Sequence, residues 1–107
     1  MDYDQKLEAY TAAVEAAGIE LKGKSNKYTS HQGHMFSFLG KDGVLAVRLS
    51  KEGKAAFNEK HGTSDVIQYN SVMNGYVEMI PEIAGDQNRF KKLLKEGYDY
   101  VDSLPAK

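Results

Sequence analysis

Met35-Phe36-Ser37-Phe38-Leu39, then Gly40-Lys41-Asp42-Gly43, then Val44-Leu45-Ala46-Val47-Arg48-Leu49 is the stretch whose reading decides the fold. Two β-prone runs joined by four residues with glycine at both ends predict an antiparallel hairpin. Side chains alternate across a strand, so Leu45, Val47 and Leu49 share one face and should meet the core. Ala46 and Arg48 share the other, which is expected to be the more polar side. A weaker strand is expected around Lys27-Tyr28-Thr29, just ahead of the hairpin.

Helices flank this centre in the sequence. Tyr3, Leu7, Tyr10, Val14 and Ala17 recur at spacings of four and three, which lays one apolar stripe on a helix from about residue 3 to 17. Asp2 is its cap, Gln5 stands where a capping box needs it, and Gly18 is the stop. Ser50 offers an N-cap for a second helix from Lys51 to His61, which Gly62 closes and which Gly53 weakens by about 1 kcal/mol. Asp86 begins a third, in which Phe90, Leu93, Leu94, Tyr98, Val101 and Leu104 recur at helical spacing before Pro105 stops it. Gly97, costly inside a helix, marks a close approach of another backbone. Between the second and third helices, Asp65-Val66-Ile67-Gln68-Tyr69 and Gly75-Tyr76-Val77-Glu78-Met79-Ile80 read as two further strands, the latter ended by Pro81. The expected class is α+β: a sheet of about five antiparallel strands packed with N-terminal, middle and C-terminal helices, in the order α-β-β-β-α-β-β-α, as one domain over residues 1–107.

Composition narrows the chemistry. There is no cysteine, which excludes a disulfide framework, a thiolate metal site and a cysteine nucleophile. The longest apolar runs are too short for a membrane span, and the acidic opening Met1-Asp2-Tyr3-Asp4 does not have the character of a secretory signal, so a cytoplasmic protein without membrane association is expected. The formal net charge of -1 offers no long-range attraction for nucleic acid. That charge is unevenly placed, with residues 1–20 and 61–88 net acidic and residues 21–60 and 89–107 net basic. Unlike blocks of this kind could pair in a homodimer, whereas a solvated surface accounts for them equally well.

Few residues form chemical constellations. His31-Gln32-Gly33-His34, completed by His61, is the only group with metal-ligand residue types, and a solvent-exposed loop explains it more cheaply. Arg48, on a strand, must reach water, pair with a carboxylate or grip an anion, and Glu78 is its obvious partner if the two strands are neighbours. Arg48, Glu78 and a histidine meeting in one pocket would be the mark of a small-ligand site or an enzyme. Gly40-Lys41-Asp42-Gly43 does not have the pattern of a phosphate loop, and no nucleophile elbow is present. Arg89, Lys91, Lys92 and Lys95 form the best basic cluster, yet Glu96, Asp99 and Asp102 follow at once, so tight binding of duplex DNA is not expected even with Lys22, Lys24 and Lys27 nearby. Tyr98 and Tyr100 should point to different sides of the last helix, leaving one exposed for a partner.

A family resemblance extends over nearly the whole length. It rests on Tyr3-Asp4 with Leu7, on Gly33-His34-Met35-Phe36-Ser37 leading into Lys41-Asp42-Gly43, and on Ala46-Val47-Arg48-Leu49-Ser50. Tyr76-Val77 before Pro81 and the ending Tyr98-Asp99-Tyr100-Val101-Asp102-Ser103-Leu104-Pro105-Ala106-Lys107 complete it. On these residues the chain resembles the TfoX N-terminal domain of the TfoX/Sxy family. The resemblance implies a small cytoplasmic α+β domain without catalytic residues or cofactor, acting as a binding or regulatory module through protein contacts; a homodimer is expected separately, from the exposed edge such a sheet keeps and from the unlike charge blocks. The resemblance assigns no individual site residue.

Overall fold

A computed structural model describes residues 1–107. The elements are α1 (Tyr3–Ala16), β1 (Lys27–His31), β2 (His34–Leu39), β3 (Leu45–Arg48), α2 (Lys51–His61), β4 (Ile67–Gln68), β5 (Ser71–Val72), β6 (Tyr76–Glu78), α3 (Pro81–Ala84) and α4 (Gln87–Asp102). The fold is α+β, built on an antiparallel sheet in the order β1-β2-β3-β6. Only four strands make this sheet. The expected strand over Asp65–Tyr69 instead turns back at Tyr69-Asn70, where both residues have positive φ, and pairs with Ser71-Val72 in a separate ribbon. Pro81, with no amide hydrogen to offer a ladder, opens the short helix α3 beyond β6.

The helix boundaries follow from local chemistry. Asp2 and Gln5 exchange both hydrogen bonds of a capping box at α1, and Ser50 accepts from the Gly53 amide at α2. Gly62 ends α2 in the left-handed conformation that glycine adopts without steric cost. Asp86 caps α4, which ends at Asp102, so that Leu104 lies beyond the helix.

Leu39, Leu45, Val47, Leu49, Val77 and Met79 pack with Tyr10, Val14, Phe90 and Leu94 of the helices into the main core. This is the face expected for Leu45, Val47 and Leu49. The opposite face is less polar than expected: Phe38, Ala46 and Tyr76 are buried there with Val66 from the segment leading into the ribbon. Between the pairs Thr29↔Ser37 and Ser30↔Met35 the register slips, leaving Phe36 unpaired in a bulge. Strict alternation would put Phe36 beside Phe38. The bulge turns Phe36 toward α4, where its ring meets Tyr98 edge-on, while Ser37 reaches the hydroxyls of Tyr10 and Thr29. All three of those hydroxyl-bearing residues are fully buried.

Asp102, which ends α4, and residues 103–107 after it cross the β1–β2 turn as a strap. His31 Nε2 donates to Asp102 Oδ1 at 2.8 Å, His34 Nε2 donates to the Pro105 carbonyl at 2.7 Å, and the Lys107 amide donates to the Gln32 carbonyl at 3.0 Å. No helix is long and apolar enough to cross a membrane.

Candidate functional site

α2 and α4 border a concave surface. On α2, Gly53, Ala56, Phe57 and Lys60 stand three and four apart and so share a face, as do Arg89, Lys92, Leu93 and Glu96 on α4. The two faces border a groove of about 360 Å³. Its floor is apolar, with Leu49, Phe57 and Ile83 almost fully buried and Leu93 partly so. Its rim is cationic: Lys60 and Lys92 are exposed and unpaired, His61 lies on the Phe57 ring at 4.5 Å, and Arg89 reaches Glu82 at 3.4 Å. Glu96 is the one acid lining it. Gly53 also lines it, and a Cβ there would stand 3.1 Å from Ser50 Oγ and 3.3 Å from Glu96 Oε1.

The constellations expected from sequence are dispersed. β3 and β6 are indeed neighbours, but Arg48 stands opposite Tyr76 while Glu78 stands opposite Ala46, and no ion pair joins Arg48 to Glu78. The Arg48 guanidinium instead lies over the Tyr100 ring, 5.4 Å from its centre. No histidine joins them. His31 packs on Tyr98, His34 is held by the Pro105 carbonyl, and His61 sits on the groove rim. The three histidines therefore do not converge, and no three metal-ligating side chains cluster anywhere in the fold.

Neither tyrosine of α4 is the free partner surface expected of one of them. Tyr98 is half-buried beneath His31 and Phe36, and Tyr100 is half-buried beneath Arg48. The basic residues of α4 also separate, because Arg89 and Lys92 line the groove while Lys95 borders another hollow beside Tyr98 and Asp99. Lys22 is tied to Ser30 Oγ and Lys27 to the Gly23 carbonyl.

Two phenols are shifted by their surroundings. Burial pushes Tyr76 up to about 12, moderated by the nearby Arg48 charge. Burial also raises Tyr10 beyond the ordinary range of phenols, against the opposing hydrogen bonds from Ser37 and Thr29.

Lys60 belongs to the groove without having been singled out in the sequence, where Leu93 is read only as part of an apolar helix stripe. The spacing of residues 53, 56, 57 and 60 was visible there, but nothing in it reveals that the opposite wall is α4. No protein-family model, no curated protein and no solved structure matches the chain.

Proposed function

We propose that the chain is a non-enzymatic interaction module of the TfoX N-terminal type, working in the cytoplasm and holding an acidic, amphipathic protein segment in the α2–α4 groove. The observation that carries this reading is the pairing of an apolar floor with a cationic rim. Burial of apolar side chains on Leu49, Phe57, Ile83 and Leu93 would supply the affinity, at roughly 25 cal/mol per Å² of apolar surface removed from water. Carboxylates flanking them would meet Lys60, Lys92 and Arg89, which fixes register and speeds encounter. A helical partner segment would present its apolar residues at spacings of three and four, the usual pattern for an amphipathic helix in a groove.

A fluorescein-labelled synthetic helix of leucines at that spacing, flanked by glutamates, tests the reading by fluorescence anisotropy. Saturable binding is expected that weakens with added salt, disappears in the Lys60→Glu, Lys92→Glu double variant and persists in Lys24→Glu. Absence of saturable binding, or equal binding by the double variant, would overturn the proposal. Sedimentation of the chain alone distinguishes a second copy as the occupant: a species above 11.9 kDa that the double variant loses would replace the foreign segment with a homodimer.

A further inference from the structure

On the other flank of α2 lies a second hollow, of about 270 Å³, bordered by Arg48, Lys51, Lys54, Asn74 and Tyr100. Four separate elements contribute to it: the end of β3, the first turns of α2, the turn before β6, and α4. Their side chains bring three cations together, and no carboxylate lines the hollow. Lys54 is engaged by Asp65 at 3.0 Å, from outside the lining. Lys51 is exposed and unpaired.

Arg48 is the informative member. Its stem passes beside Gly75, where an added Cβ would stand at ordinary contact distance, 3.6 Å from Arg48 Cγ and 3.7 Å from Nε, and its guanidinium is set over the Tyr100 ring. A guanidinium resting on an aromatic ring has part of its orientation set before any ligand arrives. Yet it makes no hydrogen bond to any protein acceptor, and none of its nitrogens is sealed from water. The chain has one other arginine, Arg89, and that one has found Glu82. Glu78, on the same face of the sheet as Arg48, makes no ion pair with it. A half-buried arginine that has no protein acceptor and borders a concave, cation-lined space fits an external anion.

The balance of charge narrows that anion. With Lys54 half of an ion pair, Arg48, Lys51 and Lys54 leave two positive charges in excess of Asp65, and a dianion would neutralise both. A phosphate monoester carries close to two charges at neutral pH, and its oxygens suit the planar fork of arginine together with point-like ammonium groups. A carboxylate brings one charge and would leave the hollow cationic. We infer that this hollow binds a phosphate group close to its dianionic form, free or as a monoester, with Arg48 as the fork, Lys51 and Lys54 as the neutralising charges and the Asn74 side chain as a further donor. The inference does not depend on what the α2–α4 groove holds.

The test is a titration of the ¹⁵N-labelled full chain, following the Arg48 Nε–Hε signal and the backbone signals of Lys51 and Asn74. The probes are phenyl phosphate and inorganic phosphate, with sodium chloride at matched ionic strength as control. Saturable shifts at these signals are expected with phosphate, weakened about tenfold or more in Arg48→Gln and in Lys51→Glu and unchanged in Arg89→Gln. Tighter binding of phenyl phosphate would assign the site to an organic monoester, and equal binding to free phosphate; both support the shared chemistry. Shifts that are absent, that do not saturate, that chloride reproduces or that Arg48→Gln retains would overturn it. Lys51 faces solvent, so Lys51→Glu reads the site even if Arg48→Gln fails to fold.

Discussion

The Cα of Gly97 faces the carbonyl oxygen of Arg48 so closely that a methyl group placed on it would stand 2.7 Å away, with Val47 Cγ1 at 3.1 Å. Helix α4 therefore rests directly on the backbone of β3. Gly97→Ala sets a gain in helix propensity of about 1 kcal/mol against a clash with backbone that cannot swing aside. The clash wins, because relief requires α4 to lift from the sheet. A net loss of about 1–3 kcal/mol is expected, read as a fall in Tm of several degrees in a thermal melt.

The buried hydroxyls of Tyr10, Ser37 and Thr29 form a chain in which Ser37 is the middle link. Ser37→Ala strands the other two in an apolar interior and should cost about 2 kcal/mol or more. Tyr10→Phe leaves the Ser37–Thr29 hydrogen bond intact and should cost less. Urea unfolding of the two variants checks the order, and a milder effect for Ser37→Ala would show that the hydroxyls find other partners.

Alkaline pH acts on the same region. Tyr10 and Tyr76 keep their protons in the folded chain above the ordinary phenol value of 10.0, so the folded state binds more protons than the unfolded state in that range. Their contribution to stability is complete below pH 10 and is lost as pH rises from there through about 12. Unfolding free energies measured from pH 9 upward should fall, and Tyr76→Phe should flatten part of the slope. Absorbance of ionised phenol should show two tyrosines titrating above the ordinary phenol value of 10.0.

The ribbon turn offers a change in the opposite direction. Tyr69 has φ 50 and Asn70 φ 63, values that suit asparagine or glycine and strain a bulky residue. Tyr69 is also 63% exposed, so its ring has little packing to lose. Tyr69→Asn should therefore raise stability by roughly 0.5–1 kcal/mol, detectable as a higher midpoint in urea.

This same turn explains what the sequence conceals. Capping at Asp2, Ser50 and Asp86 is local chemistry, and the bounds of α1, α2 and α4 were legible to within a residue or two; so was the close approach at Gly97. The two-residue strands β4 and β5 are too short for alternation to register, and their turn holds Tyr69 and Asn70 in place of a glycine signal. The Phe36 bulge depends on what α4 places opposite β2. Arg48 was legible as a residue needing an explanation, but its neighbours Asn74 and Tyr100 come from distant positions that only the folded chain unites. The groove likewise joins two faces that are each visible alone.

The strap over the β1–β2 turn bears on the order of events in folding. Its bonds join His31 to Asp102 and His34 to Pro105, each pair 71 residues apart, whereas the hairpin beneath closes through the neighbouring residues Gln32 and Gly33. Long loops are entropically costly to close before other contacts hold the ends together. The hairpin and the packing of α4 should thus precede the strap, whose bonds are then absent from the transition state. A contact formed so late leaves the speed of folding untouched and governs the speed of escape. In stopped-flow experiments His34→Ala should refold at the wild-type rate and unfold faster, which would make the strap a latch on the lifetime of the folded chain.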